Sequence, residues 1–107
     1  MRYVTGDTGP AHQARIPLLD NDGNETGSYA DLTDASVKFQ MRKADDKEYT
    51  VDAVASIVGT PTDGRVKYSW AANDLSMPGE YLVQYEVTFP DTTIQTTTTE
   101  TITVERQ

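Results

Sequence analysis

Gly79-Glu80-Tyr81-Leu82-Val83-Gln84-Tyr85-Glu86-Val87-Thr88-Phe89 is the stretch on which the fold turns. Tyr81, Val83, Tyr85, Val87 and Phe89 share one parity, against Leu82, Gln84, Glu86 and Thr88 on the other. Successive side chains of an extended chain point to opposite faces, so this spacing builds one apolar face and one largely polar one. Wound into a helix, the same residues would scatter around the cylinder. The run reads as a central strand with one side in a core.

The same alternation continues outward. Val37, Phe39 and Met41 alternate with Ser36, Lys38, Gln40 and Arg42. Val51, Ala53, Ala55 and Ile57 form a second set with Asp52 and Ser56 outward, and Val66, Tyr68 and Trp70 a third after the Asp63-Gly64 turn signal. Trp70 is the largest core candidate. After a turn at Pro90-Asp91, a Thr-rich strand is expected from Thr92 to Glu105, with Ile94, Ile102 and Val104 inward and Thr96 to Thr99 as a solvated edge. Near the front, Ala14, Ile16 and Leu18 alternate with Arg15 and Pro17. Pro17 has no N–H for a ladder, which puts this strand at an edge or bulge. Tyr3 and Val4 pair separately. About seven short strands, with no helix-spaced stripe between them, predict an all-β fold: an antiparallel, immunoglobulin-like β-sandwich in one domain over residues 1–107, without linker or internal repeat.

Charge and composition narrow the function. With 17 acidic and 9 basic residues the net charge is −8. Nucleic-acid binders gain affinity from clustered Lys and Arg, so nucleic acid is not an expected partner. No segment has the roughly 20 apolar residues of a membrane helix, and Met1 to Gly6 lack the apolar run of a secretory signal, so the expectation is a soluble chain with no membrane partner and no export address. Cysteine is absent, which excludes disulfides and thiolate metal sites. Abundant Asp and Thr with scarce Lys would keep a surface hydrated in concentrated salt, and point to a salt-loving source.

Candidate sites are few. Leu19-Asp20-Asn21-Asp22-Gly23-Asn24-Glu25 invites comparison with an EF-hand calcium loop, and Asp20, Asp22, Asn24 and Asp31 stand at ligand positions. However, Glu25 occupies the position that needs glycine, and no helical pattern flanks the loop, so a turn on Asp22-Gly23 is the expected reading and no cofactor is assigned. Asn24-Glu25-Thr26 has the form of a glycosylation acceptor, against the simpler reading of a polar loop. His12, the one histidine, has no nucleophile elbow or metal motif around it and is expected as an exposed loop residue. Thr96 to Thr99 could present a hydroxyl array or carry O-glycans, though β-propensity alone accounts for them. Outward Tyr29, Leu82, Val54 and Val58 are candidate subunit contacts, against scattered surface apolarity.

Two resemblances follow from these residues. Asn73 to Val83, with Pro78-Gly79-Glu80-Tyr81 at its heart, resembles the corner before strand F of immunoglobulin-like domains, where a tyrosine hydroxyl bonds back to upstream backbone. Tyr81 matches that tyrosine, and Val83 stands where antibody domains have a cysteine. More broadly, Gly6-Asp7-Thr8-Gly9-Pro10, Asp20 to Asn24, the stretch from Asp31 to Arg42 and Trp70 through Tyr81 to Asp91 resemble the immunoglobulin-like domain at the N-terminus of phage baseplate upper proteins. The resemblance implies a virion protein of the tail, baseplate, neck or capsid. It would act by assembly with other virion proteins, as a symmetric homo-oligomer or as copies docked on a ring, with no catalytic residue and no cofactor. Members often continue into a fibre or receptor-binding region. A stop at Gln107 points instead to a free-standing accessory protein. The alternative is a cell-surface or carbohydrate-binding sandwich, which would need Tyr3, Tyr29 and Tyr49 exposed together.

Overall fold

The computed structural model describes residues 2–106. Eleven strands follow one another: β1 (Arg2–Val4), β2 (His12–Arg15), β3 (Pro17–Leu19), β4 (Glu25–Tyr29), β5 (Ser36–Lys43), β6 (Tyr49–Val54), β7 (Ser56–Ile57), β8 (Arg65–Tyr68), β9 (Gly79–Thr88), β10 (Ile94–Thr96) and β11 (Glu100–Glu105). A 3-10 turn at Pro61–Asp63 precedes β8. The principal sheet has the order β1-β11-β9-β5-β6, with β10 also on β9; β2-β8-β7 form a second sheet, and β3-β4 a separate hairpin.

The decisive run is the middle of this architecture. β9 pairs antiparallel with β5 from Ser36↔Thr88 to Lys43↔Tyr81, placing Phe39 opposite Tyr85 and Met41 opposite Val83. Their shared inner face is buried: Val37, Phe39, Met41, Tyr81, Val83, Tyr85 and Val87 are all at most 3% exposed. β8 closes from the second sheet, with the Tyr68 ring stacked on Phe39 at 4.5 Å between centroids. Trp70, just past β8, meets Phe39 edge-on at 5.4 Å and Tyr3 at 5.1 Å. Each such buried side chain contributes about 1.5–3 kcal/mol through burial, and the stacked and edge-on pairs add roughly 0.5–1.5 each. At the corner, the Tyr81 hydroxyl donates to the Met77 carbonyl at 2.9 Å, as the Pro78-Gly79 signature predicts.

Several expectations are corrected. The sandwich is not wholly antiparallel: β1 runs parallel to β11, with Arg2 opposite Thr103 and Val4 opposite Glu105, so the principal sheet is mixed. Eleven strands replace about seven because long alternating runs break. The run from Val51 to Ile57 keeps its parity but changes sheets at Ala55, whose N–H bonds Val37 O, so β6 pairs with β5 and β7 with β8. The Thr-rich strand breaks at Thr97 to Thr99. There Thr97 bonds to β9 through both its N–H and its Oγ1, and the neighbouring threonines leave the ladder. Parity also fails locally: Leu18 and Ile94, expected inward, are 45% and 62% exposed, Leu18 on a hairpin that pairs with neither larger sheet and Ile94 on the short β10, which pairs with β9 alone. Tyr3, whose exposure the carbohydrate-binding alternative needs, is 2% exposed against Trp70.

Candidate interaction surfaces

The loop at residues 20–25 is a turn. Asp20 Oδ1 accepts the N–H groups of Asp22 and Asn24 at 2.9 Å each, and Gly23, at φ +84°, donates its N–H to Asp20 O. Asp20 therefore uses one carboxylate oxygen to close its own loop. Asp31 sits in a different one, where a single oxygen takes the N–H and hydroxyl of Thr33 at 3.0 and 2.6 Å and holds the carboxyl below its ordinary value. The structure thus does not gather Asp20, Asp22, Asn24 and Asp31 into one cradle. Among the described residues no group of three or more His, Asp or Glu is placed to hold a metal. Asn24 and Thr26 are both exposed.

β3 and β4 form an arm rather than part of either sheet. Every residue of β4 is exposed. A two-stranded hairpin is marginal in water, so its root matters. Ile16 N–H donates to Gly64 O at 2.7 Å, Ala30 N–H donates to Ile16 O, and the Gln95 amide donates to Pro17 O. Gly64, at φ +69°, lies where a side-chain carbon would stand 3.0 Å from Ile16 O and 3.1 Å from Ala30 O. Only glycine fits there unstrained.

Between this arm and the Thr96–Thr99 bulge lies an open cleft of about 470 Å³, with His12 and Glu100 in its wall. His12 is 1% exposed, not on the surface as its flanking sequence suggested. Its Nδ1 lies 2.9 Å from the Tyr85 hydroxyl and its Nε2 3.1 Å from Glu100 Oε2, while the Tyr85 hydroxyl also lies 3.2 Å from His12 O. In neutral His12, Nε2–H donates to Glu100 and Nδ1 accepts the single proton of the Tyr85 hydroxyl, which is then not donated to His12 O. Once protonated, both ring N–H groups donate and the Tyr85 O–H turns to His12 O. Burial lowers the His12 pKa, partly offset by Glu100, and burial raises that of Tyr85. A neutral phenol and a histidine engaged on both sides make a structural clasp between the two sheets and offer no activated nucleophile. Parity could have pointed to its burial, since His12 is in phase with Ala14 and Ile16 while Gln13 and Arg15 face out; its partners could not be read that way, because Tyr85 and Glu100 are 73 and 88 residues away.

On the outer face of the principal sheet, Gln84 donates to Gln40 Oε1 at 2.8 Å and contacts the Tyr49 hydroxyl at 3.0 Å. β6, at the sheet edge, carries Tyr49 and Val54 at 44% and 79% exposure. No helix of the described chain is long and apolar enough to cross a membrane.

A mixed-sheet β-sandwich whose exposed features are a strand edge, a projecting hairpin and apolar side chains has the makings of an assembly module. Comparison with known families agrees, since the profile of the BppU N-terminal domain matches residues 17–106. The chain belongs to that family, the N-terminal domain of phage baseplate upper proteins, and is accordingly a protein of the virion. No curated protein matches the chain. Among solved structures it is similar to CopC from Methylosinus trichosporium OB3b, with TM-score 0.55 and 12% identity over 99% of this chain and 83% of that one, a likeness of fold alone.

Proposed function

We propose that the protein is a single immunoglobulin-like domain that serves as a non-catalytic structural component of the tail or baseplate, working by docking onto repeated copies of itself and of neighbouring virion proteins. The family membership carries this reading. Tyr49 and Val54 on the unpaired edge of β6 supply main-chain and apolar contacts for a neighbour. The carbohydrate-binding alternative loses ground: it needs Tyr3, Tyr29 and Tyr49 on one platform, yet Tyr3 is buried, Tyr29 is on the hairpin and Tyr49 on the edge of the principal sheet. The test is incorporation of tagged protein into particles. Wild-type chain is expected in the tail fraction, and Tyr49→Asp with Val54→Asp is expected to be depleted from it. Exclusion of the wild-type chain from particles overturns the proposal.

A further inference from the structure

The chain has net charge −8, yet three cations are gathered on one outward face. β2, β8 and β7 contain no Asp or Glu. Their inward side chains His12, Val66 and Tyr68 are buried, so Gln13, Arg15, Arg65, Lys67 and Ser56 face out. Arg15 stands directly opposite Arg65, and Lys67 is flanked by Gln13 and Ser56. Like charges opposed across a ladder are destabilising. Among the described residues neither arginine nor Lys67 has a carboxylate within 4.0 Å. Arg15 is moreover pre-positioned: its guanidinium carbon lies 3.4 Å from the centroid of the Tyr29 ring, and its Nε donates to Asp63 O at 2.8 Å. Among the described residues its two terminal nitrogens have no hydrogen-bond partner and are left for another molecule. An arginine immobilised on an aromatic ring is a strong recognition element for a carboxylate.

The complementary charge is on the same chain. Between Arg15 and Lys38 there is no basic residue, and Asp20, Asp22 and Glu25 are exposed at the tip of the hairpin, whose β4 strand is exposed throughout. That tip lies about three strand residues, or roughly 10 Å, beyond the root beside Arg15, and among the described residues none of its carboxylates forms an ion pair with the face of its own chain. We propose that the Arg15-Arg65-Lys67 face receives the acidic β3-β4 hairpin tip of a second copy. Donor and acceptor surfaces differ, so the contact is head-to-tail and closes into a ring if the rotation fits. This deepens the assembly role proposed above and rests on it.

A charge-swap experiment tests it by sedimentation velocity. Arg65→Glu with Lys67→Glu makes one variant, and Asp22→Lys with Glu25→Lys the other; Arg15 and Asp20 stay because they hold Tyr29 and the turn. Wild-type protein on the order of 100 µM is expected to associate at about 50 mM salt and to dissociate at about 500 mM. Each variant alone is expected to be monomeric, and an equimolar mixture to associate again, since every hairpin then meets a face of opposite sign. Should the lysine variant lose its β-sheet circular dichroism, Asp22→Asn with Glu25→Gln is expected to show the same loss of association. A monomeric wild type, variants that associate like it, or a mixture that stays monomeric overturns the proposal. So does retention of wild type, but not of Arg65→Glu/Lys67→Glu, on a heparin or DNA column without self-association. If that variant enters particles as well as wild type, the head-to-tail contact is wrong while the assembly role stands.

Discussion

At the level of single residues, the aromatic cluster and the Tyr81 corner set stability. Trp70→Ala opens a hole beneath Tyr3, Phe39 and Tyr68 and is expected to cost about 3–5 kcal/mol in equilibrium unfolding. Tyr81→Phe orphans the Met77 carbonyl and is expected to cost about 1 kcal/mol. His12 gives the molecule an acid-sensitive point. Its folded pKa lies below the ordinary 6.5, chiefly through burial. At higher pH neither state is protonated and the clasp costs nothing. As pH falls through 6.5 the unfolded chain takes up a proton that the folded chain refuses, so stability declines across that window. Urea midpoints from pH 8 to pH 5 should show this slope, and His12→Gln should flatten it. Asp31 and Asp91 act in a separate, more acidic range. Each bonds the threonine two residues on and has a depressed pKa, so their stabilisation is lost as pH falls through the values below 3.8.

At the level of elements, legibility followed the contrast between the two faces of a strand. β5 and β9 could be read because Val, Phe, Met and Tyr alternate there with Ser, Lys, Gln and Glu. The run from Val51 to Ile57 was legible in parity but not in sheet membership, since alternation reports which side is dry and not which neighbour supplies the hydrogen bonds. β4 and the Thr97–Thr99 break were illegible because Thr, Gly and Ser give little contrast on either side. The parallel β1-β11 pair depends on contacts between residues about a hundred positions apart. For the hairpin, Gly64→Ala is expected to cost about 1–3 kcal/mol through left-handed strain and contact with Ile16 O and Ala30 O. Thermal melts would register the loss, and hydrogen exchange would show it concentrated at Ile16 and Ala30.

At the level of the whole molecule, net charge and assembly pull in opposite directions with salt. Self-repulsion at −8 weakens the folded state, so thermal melting is expected to move upward between about 50 and 500 mM salt. The head-to-tail contact loosens over the same range, so one titration followed by calorimetry and sedimentation separates the two effects. The virion role was legible from the corner and the Asp31 to Arg42 stretch. The cationic face was not: Arg15, Arg65 and Lys67 lie apart in the chain and meet only once β2 pairs with β8. The pairing of β1 with β11 also governs how the protein can be made. A ribosome releases Arg2 to Val4 long before their partner Thr103 to Glu105 exists, so the nascent polypeptide cannot close this sheet until synthesis has nearly passed the last strand. Such late, long-range closure favours folding over milliseconds to seconds rather than microseconds.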